Sequence, residues 1–348
     1  MDQTIAEAPV EIQESKGCIN CGHPVIEEGY ANKLCHDCRQ KFIRYPIPLW
    51  IKVFGGAIAA VVLFAMFTLP KTFSSGIHQA RGLKAEQEKN YVTAQKEFAK
   101  VIEKHPSYIE AAGHLMIAAY YNQDFVTFSK TLTTIQNKNI EDKDLYSELD
   151  LLVRKTEDFF PNDSLSKLFI KYGNDIDSIP TIEYLHYMQS FPNDIFVKEA
   201  FATKLFNEEN YTYADSLVSI ILNIDPSYFA ALALKTSIKR ELQQLDSSII
   251  YADKILTTNH ESLYGLATKA RTLLKQKKDA EGFALSLKVY EMDKKDYYSA
   301  ATLIMAYHLA NKIKERDALL KEVDKDSTSV RYTTYVKEII SGKKQFRN

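Results

Sequence analysis

The chain reads as all-α, a solenoid of helical hairpins with a small cysteine-bearing module and one long apolar helix ahead of it. Three observations lead there. A two-helix text recurs at a period of 34 residues through most of the 348-residue chain. A single apolar run extends from Leu49 to Leu69. All four cysteines, Cys18, Cys21, Cys35 and Cys38, precede that run, and none follows in the remaining 310 residues.

Residues 1–15 carry Glu7, Glu11 and Glu14 and no aromatic side chain, a composition that predicts disorder. The cysteine module follows at 16–45. Two Cys-x-x-Cys pairs thirteen residues apart each deliver two sulfurs from one tight loop, which suits tetrahedral Zn²⁺. Gly22 stands where the backbone must turn for its N–H groups to face sulfur. Two disulfides are the alternative if this end lies in an oxidising compartment, and a thioredoxin-like redox pair lacks the βαβ pattern it needs. Four sulfurs complete a zinc shell, leaving His23 and His36 solvated and no open position for metal catalysis. The strings Cys-Ile-Asn-Cys-Gly-His-Pro and Leu-Cys-His-Asp-Cys-Arg resemble the knuckles of the zinc-ribbon family over residues 16–42. That resemblance implies a small β-hairpin module with a closed, structural metal site.

The apolar run of 49–69 contains one charge, Lys52, and is bracketed by Pro46, Pro48 and Pro70. At 1.5 Å rise per residue it is about 31 Å long, matching the hydrocarbon core of a bilayer. Trp50 suits the interface and Lys52 is close enough to the end to snorkel. A transmembrane helix is therefore expected. A cleaved signal peptide is not, because the stretch before the run is long and no Ala-x-Ala site follows. Gly55, Gly56, Ala59 and Ala60 form small-xxx-small pairs through which two copies could associate as a homodimer. Flanking Lys and Arg residues are nearly balanced, so orientation rests on thiol chemistry. Zinc thiolates persist in a reducing cytosol, while a cysteine-free domain suits an oxidising compartment. The expectation is a single-pass membrane protein with its N-terminus cytoplasmic and the helical array outside, across the inner membrane if the source is bacterial.

Residues 90–106 and 210–226 match position by position: Tyr91 with Tyr211, Ala94 with Ala214, Val101 with Ile221, Pro106 with Pro226. This resembles the second helix of the tetratricopeptide (TPR) repeat, with its small residue, apolar stripe and closing proline. The frame gives two TPR repeats over 75–142, at 75–108 and 109–142. Residues 143–160 interrupt as an extra helix. Five TPR-like repeats then fill 161–330, at 161–194, 195–228, 229–262, 263–296 and 297–330. Gly82, Ala202 and Ala270 take the small position of the first helix. Pro180 falls where the second helix of 161–194 wants a small residue, so it is tolerable only at a helix start. Residues 330–341 predict a capping helix, and the tail beyond a frayed end. One hairpin cannot bury its own apolar face, but stacked neighbours share a continuous core.

A net charge of −1 predicts no nucleic-acid partner. Arg39, Lys41 and Arg44 form a small basic patch suited to lipid headgroups of the bilayer. No GxSxG, P-loop, HExxH or dinucleotide-binding fingerprint is present, and the histidines of the array are scattered among different repeats. The chain is therefore expected not to be an enzyme. TPR geometry implies that positions two, five, nine, twelve and thirteen of each repeat line one face. There the chain presents Tyr120, Tyr121, Phe196, Phe206, Arg240, Tyr264, Arg271, Tyr298, Met305 and His308, with His78 one place short of the fifth position of its repeat. Tyrosine and arginine anchor interfaces, so this strip is expected to bind an extended peptide or helix of a protein partner; the alternative is that the aromatics pack between neighbouring helices. The chaperone-type carboxylate clamp gains no support, since His114 stands where asparagine is wanted. Two functions follow: a membrane-anchored scaffold or adaptor, and, alternatively, a regulatory or substrate-presenting subunit of a membrane enzyme complex such as a protease or envelope-assembly machine.

Overall fold

The computed structural model describes residues 17–43 and 47–347, with the side chains of all of these except 65–72 and 158. The segment expected to be disordered, 1–15, lies outside the described residues. Among them are seventeen α-helices and two short 3-10 helices, and no strand. The chain divides into two units, Met1–Pro70 and Lys71–Asn348.

The first unit holds the cysteine module, α1 (His36–Ile43) and the first part of α2 (Leu49–Gln87). The expected β-hairpin is absent. Two isolated backbone hydrogen bonds join its arms, Ile19 N–H to Lys33 O at 2.9 Å and Glu27 N–H to Leu34 O at 3.0 Å. Gly22 and Gly29 turn at φ +76° and +91°, so no arm is straight long enough for a ladder. The second cysteine pair instead opens α1, with Asp37 favourably placed in its first turn. In α2, Leu49, Trp50, Val53, Phe54, Val61 and Phe64 are exposed. Among the described residues no helix is long and apolar enough to cross a membrane. The span expected at 49–69 runs into residues 65–69, whose side chains lie outside the described ones.

The second unit is a TPR-like array of antiparallel helical hairpins. The end of α2 pairs with α3 (Tyr91–Lys104), and α4 (Ile109–Tyr121) with α5 (Phe125–Ile135). Next come α6 (Lys143–Thr156) with a 3-10 turn at Glu157–Phe159, then the short pair α7 (Asp163–Lys171) and α8 (Thr181–Ser190). Pro180 is the N-cap of α8, a position where a missing N–H costs no hydrogen bond. Four regular hairpins follow: α9 (Ile195–Asn207) with α10 (Tyr211–Ile224), α11 (Phe229–Glu241) with α12 (Leu245–Thr258), α13 (Leu263–Lys275) with α14 (Asp279–Met292), and α15 (Tyr297–Leu309) with α16 (Ile313–Val323). Their first helices begin 34 residues apart. The last helix, α17 (Val330–Ile340), lies against α15.

Apolar residues at helical spacing make each second helix a wedge: Ala94, Phe98 and Val101 of α3 are fully buried. The helices start on side-chain caps. Asp124, Asp194 and Asp296 accept the N–H groups of Thr127, Val197 and Ser299 at 3.0, 3.0 and 2.7 Å. The first helices stop on one recurring motif. Lys89, Gln123, Glu209, Gln243, Lys277 and Asn311 all take positive φ between 55° and 64°. Around Gln243 the Gln244 N–H reaches Lys239 O at 2.8 Å and the Gln243 N–H reaches Arg240 O at 3.2 Å, the paired bonds of a Schellman turn.

Two further features order the array. Its first two hairpins meet the turn between α12 and α13: His260 N–H bonds Lys89 O at 3.0 Å, Thr93 Oγ1 donates to Glu261 at 2.8 Å, and Asn259 Nδ2 reaches Tyr121 O, at the end of α4, at 3.1 Å. Lys96 also reaches Met292 O. The superhelix thus closes a turn upon itself. The tail expected to fray does not. Phe346 is buried with α15–α17, and Arg347 Nε donates to Leu274 O at 2.8 Å. An aromatic ring and a charged fork, six and seven residues past the last helix, supply docking that a polar tail would lack.

Candidate metal centre and first-helix cavity

Four sulfurs converge in the first unit. Those of Cys18, Cys21, Cys35 and Cys38 lie within 4.8 Å of one another, and none is in a disulfide. Cys21 and Cys35 are 3.5 Å apart. Tetrahedral zinc, with Zn–S near 2.3 Å, requires sulfurs about 3.8 Å apart, so the set fits that ion. Local backbone explains the convergence: Cys18 N–H bonds His23 O and Gly22 N–H bonds Cys18 O, both at 2.8 Å, curling the first loop. A Cβ on Gly17 would sit 2.8 Å from His23 O, so the loop requires glycine there. Asn20 Nδ2 donates to Cys38 Sγ at 3.3 Å.

The thiols titrate apart. The backbone N–H at Cys35, with help from Asn20 and Cys21, brings the Cys18 thiol down to about 6 against some burial. The backbone at His23 pulls Cys21 down as well, but the neighbouring sulfurs outweigh it and raise that thiol to about 12. Four sulfurs this close cannot all ionise without a cation among them. His23 is exposed and His36 pairs with Glu27 at 2.5 Å, so neither ring joins the sulfurs.

The predicted face residues fall into separate places. Phe206, Arg240, Tyr264, Arg271 and Tyr298 line one cavity of 350 Å³ formed by α9, α11, α13, α15 and α17. Tyr120 and Tyr121 line another, of 220 Å³, with Phe159 and Tyr228, and Tyr121 stacks on Tyr91 at 4.3 Å. Phe196 borders a separate cleft of 440 Å³ and tilts against Phe169. Met305 is fully buried in the core of α15, so it cannot meet a partner; position nine of that repeat turns inward. His308 contacts Arg316 at 3.1 Å and His78 pairs with Glu97 at 2.7 Å.

The 350 Å³ cavity has a distinct electrostatic character. Tyr264 and Tyr298 stack at 4.8 Å, and the Arg271 guanidinium lies 3.9 Å from the Tyr298 ring centre on its face. Arg271 Nε donates to Thr302 Oγ1 at 2.8 Å, and Arg240 Nη1 to Thr268 Oγ1 at 2.8 Å. Both arginines are buried. Burial pushes the Tyr298 phenol up, but Arg271 and Arg240, with hydrogen bonds from Thr268 and Tyr264, outweigh it and hold the group below the usual range. Burial raises Tyr264, and it raises Tyr335 to about 12.

Residue-by-residue reading of the sequence left out Ser237, Glu241, Tyr335 and Lys344, which also line this cavity. Ser237 and Glu241 occupy positions nine and thirteen of their repeat, so the positional rule contained them and only the preference for aromatics and arginine dropped them. Tyr335 and Lys344 follow the last full repeat, where no period assigns them a face.

No family model and no curated protein matches the chain. Solved structures similar to it include yeast Tom70, at 14% identity and TM-score 0.34, with 72% of this chain covered and 62% of that one, just under two thirds of its length. The TPR2AB domain of yeast Sti1 in complex with pHSP90 has 13% identity and TM-score 0.31, covering 68% and 98%. The TPR domain of P58(IPK) has 11% identity and TM-score 0.29, covering 77% and 79%. The array is defined by its own helices.

Proposed function

We propose that the chain is a non-enzymatic, membrane-anchored protein-interaction scaffold. Its array holds an extended peptide or helical segment of a partner on the first-helix face, and its four cysteines hold a structural Zn²⁺ on the other side of the bilayer. One observation supports the binding role above the rest: five residues from successive first helices, Phe206, Arg240, Tyr264, Arg271 and Tyr298, share a single open cavity. Aromatic and arginine anchors grouped in one concavity are what an interface hot spot requires. The anchor reading rests on the apolar composition of 49–69 and on the exposure of its side chains from Leu49 to Phe64, a surface that water disfavours. The N-terminus is assigned to the cytoplasm by the thiol argument, and the array to the far side.

Labelling a cysteine introduced beyond residue 75, with and without membrane permeabilisation, tests topology; labelling of both ends from one side refutes the two-compartment reading. Replacing Arg240, Arg271 and Tyr298 by alanine is expected to abolish crosslinking of the partner to this face, and unchanged crosslinking refutes the groove. Metal analysis of the purified chain is expected to find about one zinc, lost in Cys18→Ser and Cys35→Ser variants while the array stays folded.

A further inference from the structure

The charges around the 350 Å³ cavity do not balance. Arg240 and Arg271 line it, and Lys275 stands behind it on α13. All three are buried. One carboxylate serves them: Glu241 lies 3.5 Å from Arg240 Nε through Oε1 and 3.1 Å from Lys275 Nζ through Oε2. Arg271 donates to hydroxyl and carbonyl oxygens, Thr302 Oγ1 and, at 3.4 Å, Tyr298 O; among the described residues no carboxylate is in ion-pair contact with it. Asp296, the next acid acting on Arg271, is half-buried, makes no ion-pair contact with it, and is bonded instead to Ser299 at the start of α15. At the rim Lys344 and Glu209 offset one another at 3.9 Å. In direct contact, three buried cations thus share one carboxylate, and Arg271 touches none. Buried charge without a counter-charge is costly unless something from outside supplies it.

We propose that this cavity is a subsite for a phosphate monoester, presented by a phosphorylated side chain of the segment bound on the first-helix face. A carboxylate brings one negative charge to the two arginines that line the cavity, whereas a phosphate monoester brings close to two at neutral pH. Guanidinium groups suit phosphate oxygens, and Arg271, held flat on Tyr298, has Nη1 outside the hydrogen bonds that occupy its Nε and Nη2. The low-lying Tyr298 phenol reports the same positive potential from inside the cavity. The proposal builds on the peptide reading of this face.

The test is calorimetric titration of the full chain with an N-acetylated, C-amidated phosphoserine peptide, its serine and glutamate counterparts, and inorganic phosphate, all at matched ionic strength. The phosphopeptide is expected to bind about tenfold or more tightly than either counterpart, with inorganic phosphate competing and R271Q or R240Q abolishing the preference. Its affinity is expected to rise between about pH 5 and pH 7, as the monoester loses its second proton. Should those variants fail to fold, K344E at the exposed rim keeps the question answerable, since it is expected to weaken the phosphopeptide several-fold and the serine peptide little. Equal binding of all three peptides overturns the phosphate subsite and leaves the peptide face standing. Binding of inorganic phosphate with no peptide bound keeps the subsite but overturns the peptide face. Absence of binding by any phosphate probe, or a preference undiminished in R271Q, overturns the proposal.

Discussion

Gly82 is the residue at which the first hairpin is closest to its limit. A Cβ there would lie 2.7 to 2.9 Å from the Phe98 ring, which is fully buried and cannot swing away. Alanine would gain about 1 kcal/mol of helix propensity but forces overpacking worth about 1–3 kcal/mol. Gly82→Ala is therefore expected to lower the urea midpoint, and an unchanged or raised midpoint would contradict the contact. His308 makes a prediction with a sign. Burial, and then Arg316, hold its imidazole below the ordinary 6.5. The unfolded chain thus takes up a proton that the folded chain refuses, and stability drains away as pH falls below 6.5. Urea titrations at pH 7.5 and 5 are expected to show a smaller acid loss in His308→Gln than in the parent. At this scale the sequence was readable where chemistry is local. The cysteine spacing sufficed to group four sulfurs, since each pair is held by its own loop. It could not tell Arg271, which reaches a cavity, from Met305, which turns into the core, because both occupy position nine of their repeats.

At the scale of the element, the helix starts carry recognisable caps, while the stops are unusual. Six first helices or their equivalents end on a left-handed residue that is not glycine, a conformation that costs an L-residue about 1–2 kcal/mol. Gln243 is exposed and makes no side-chain hydrogen bond among the described residues. Gln243→Gly is expected to stabilise the array by about 0.5–1 kcal/mol, after the greater freedom of unfolded glycine is deducted. Calorimetric melting checks it, and a lowered Tm would show that the turn has another source of strain. The period of 34 residues was legible because stacked hairpins repeat one burial pattern. The cysteine module was misjudged as a β-hairpin because ligand spacing constrains sulfurs and says little about whether the joining chain forms a ladder. The docked tail was missed for a related reason: Phe346 and Arg347 are two isolated residues, and no periodic pattern marks where they land.

For the whole array, the consequential feature is the seam where its beginning meets the α12–α13 turn. Asn259 is 2% exposed and spans the seam with bonds to Tyr121 O and, at 2.8 Å, Asn122. A solenoid open at both ends unfolds as nearest-neighbour units, whereas a seam couples distant repeats. Asn259→Ala combined with Glu261→Ala is expected to cost about 1–3 kcal/mol and to separate the melting of α2–α5 from that of the later hairpins. Amide exchange on α3 would then rise selectively. A single unbroken transition at unchanged temperature would show that the seam carries no coupling.

By itself the sequence determined the all-helical class, the repeat length and the grouping of the cysteines, because each depends on side chains a few residues to one period apart. Only the tertiary structure decided which face residues share a cavity, that the tail docks, and that the array closes on itself. Those outcomes depend on the small rotation each hairpin adds to the last. That rotation comes from how side chains interlock between neighbours, and its sum over several repeats appears in no single stretch of the chain.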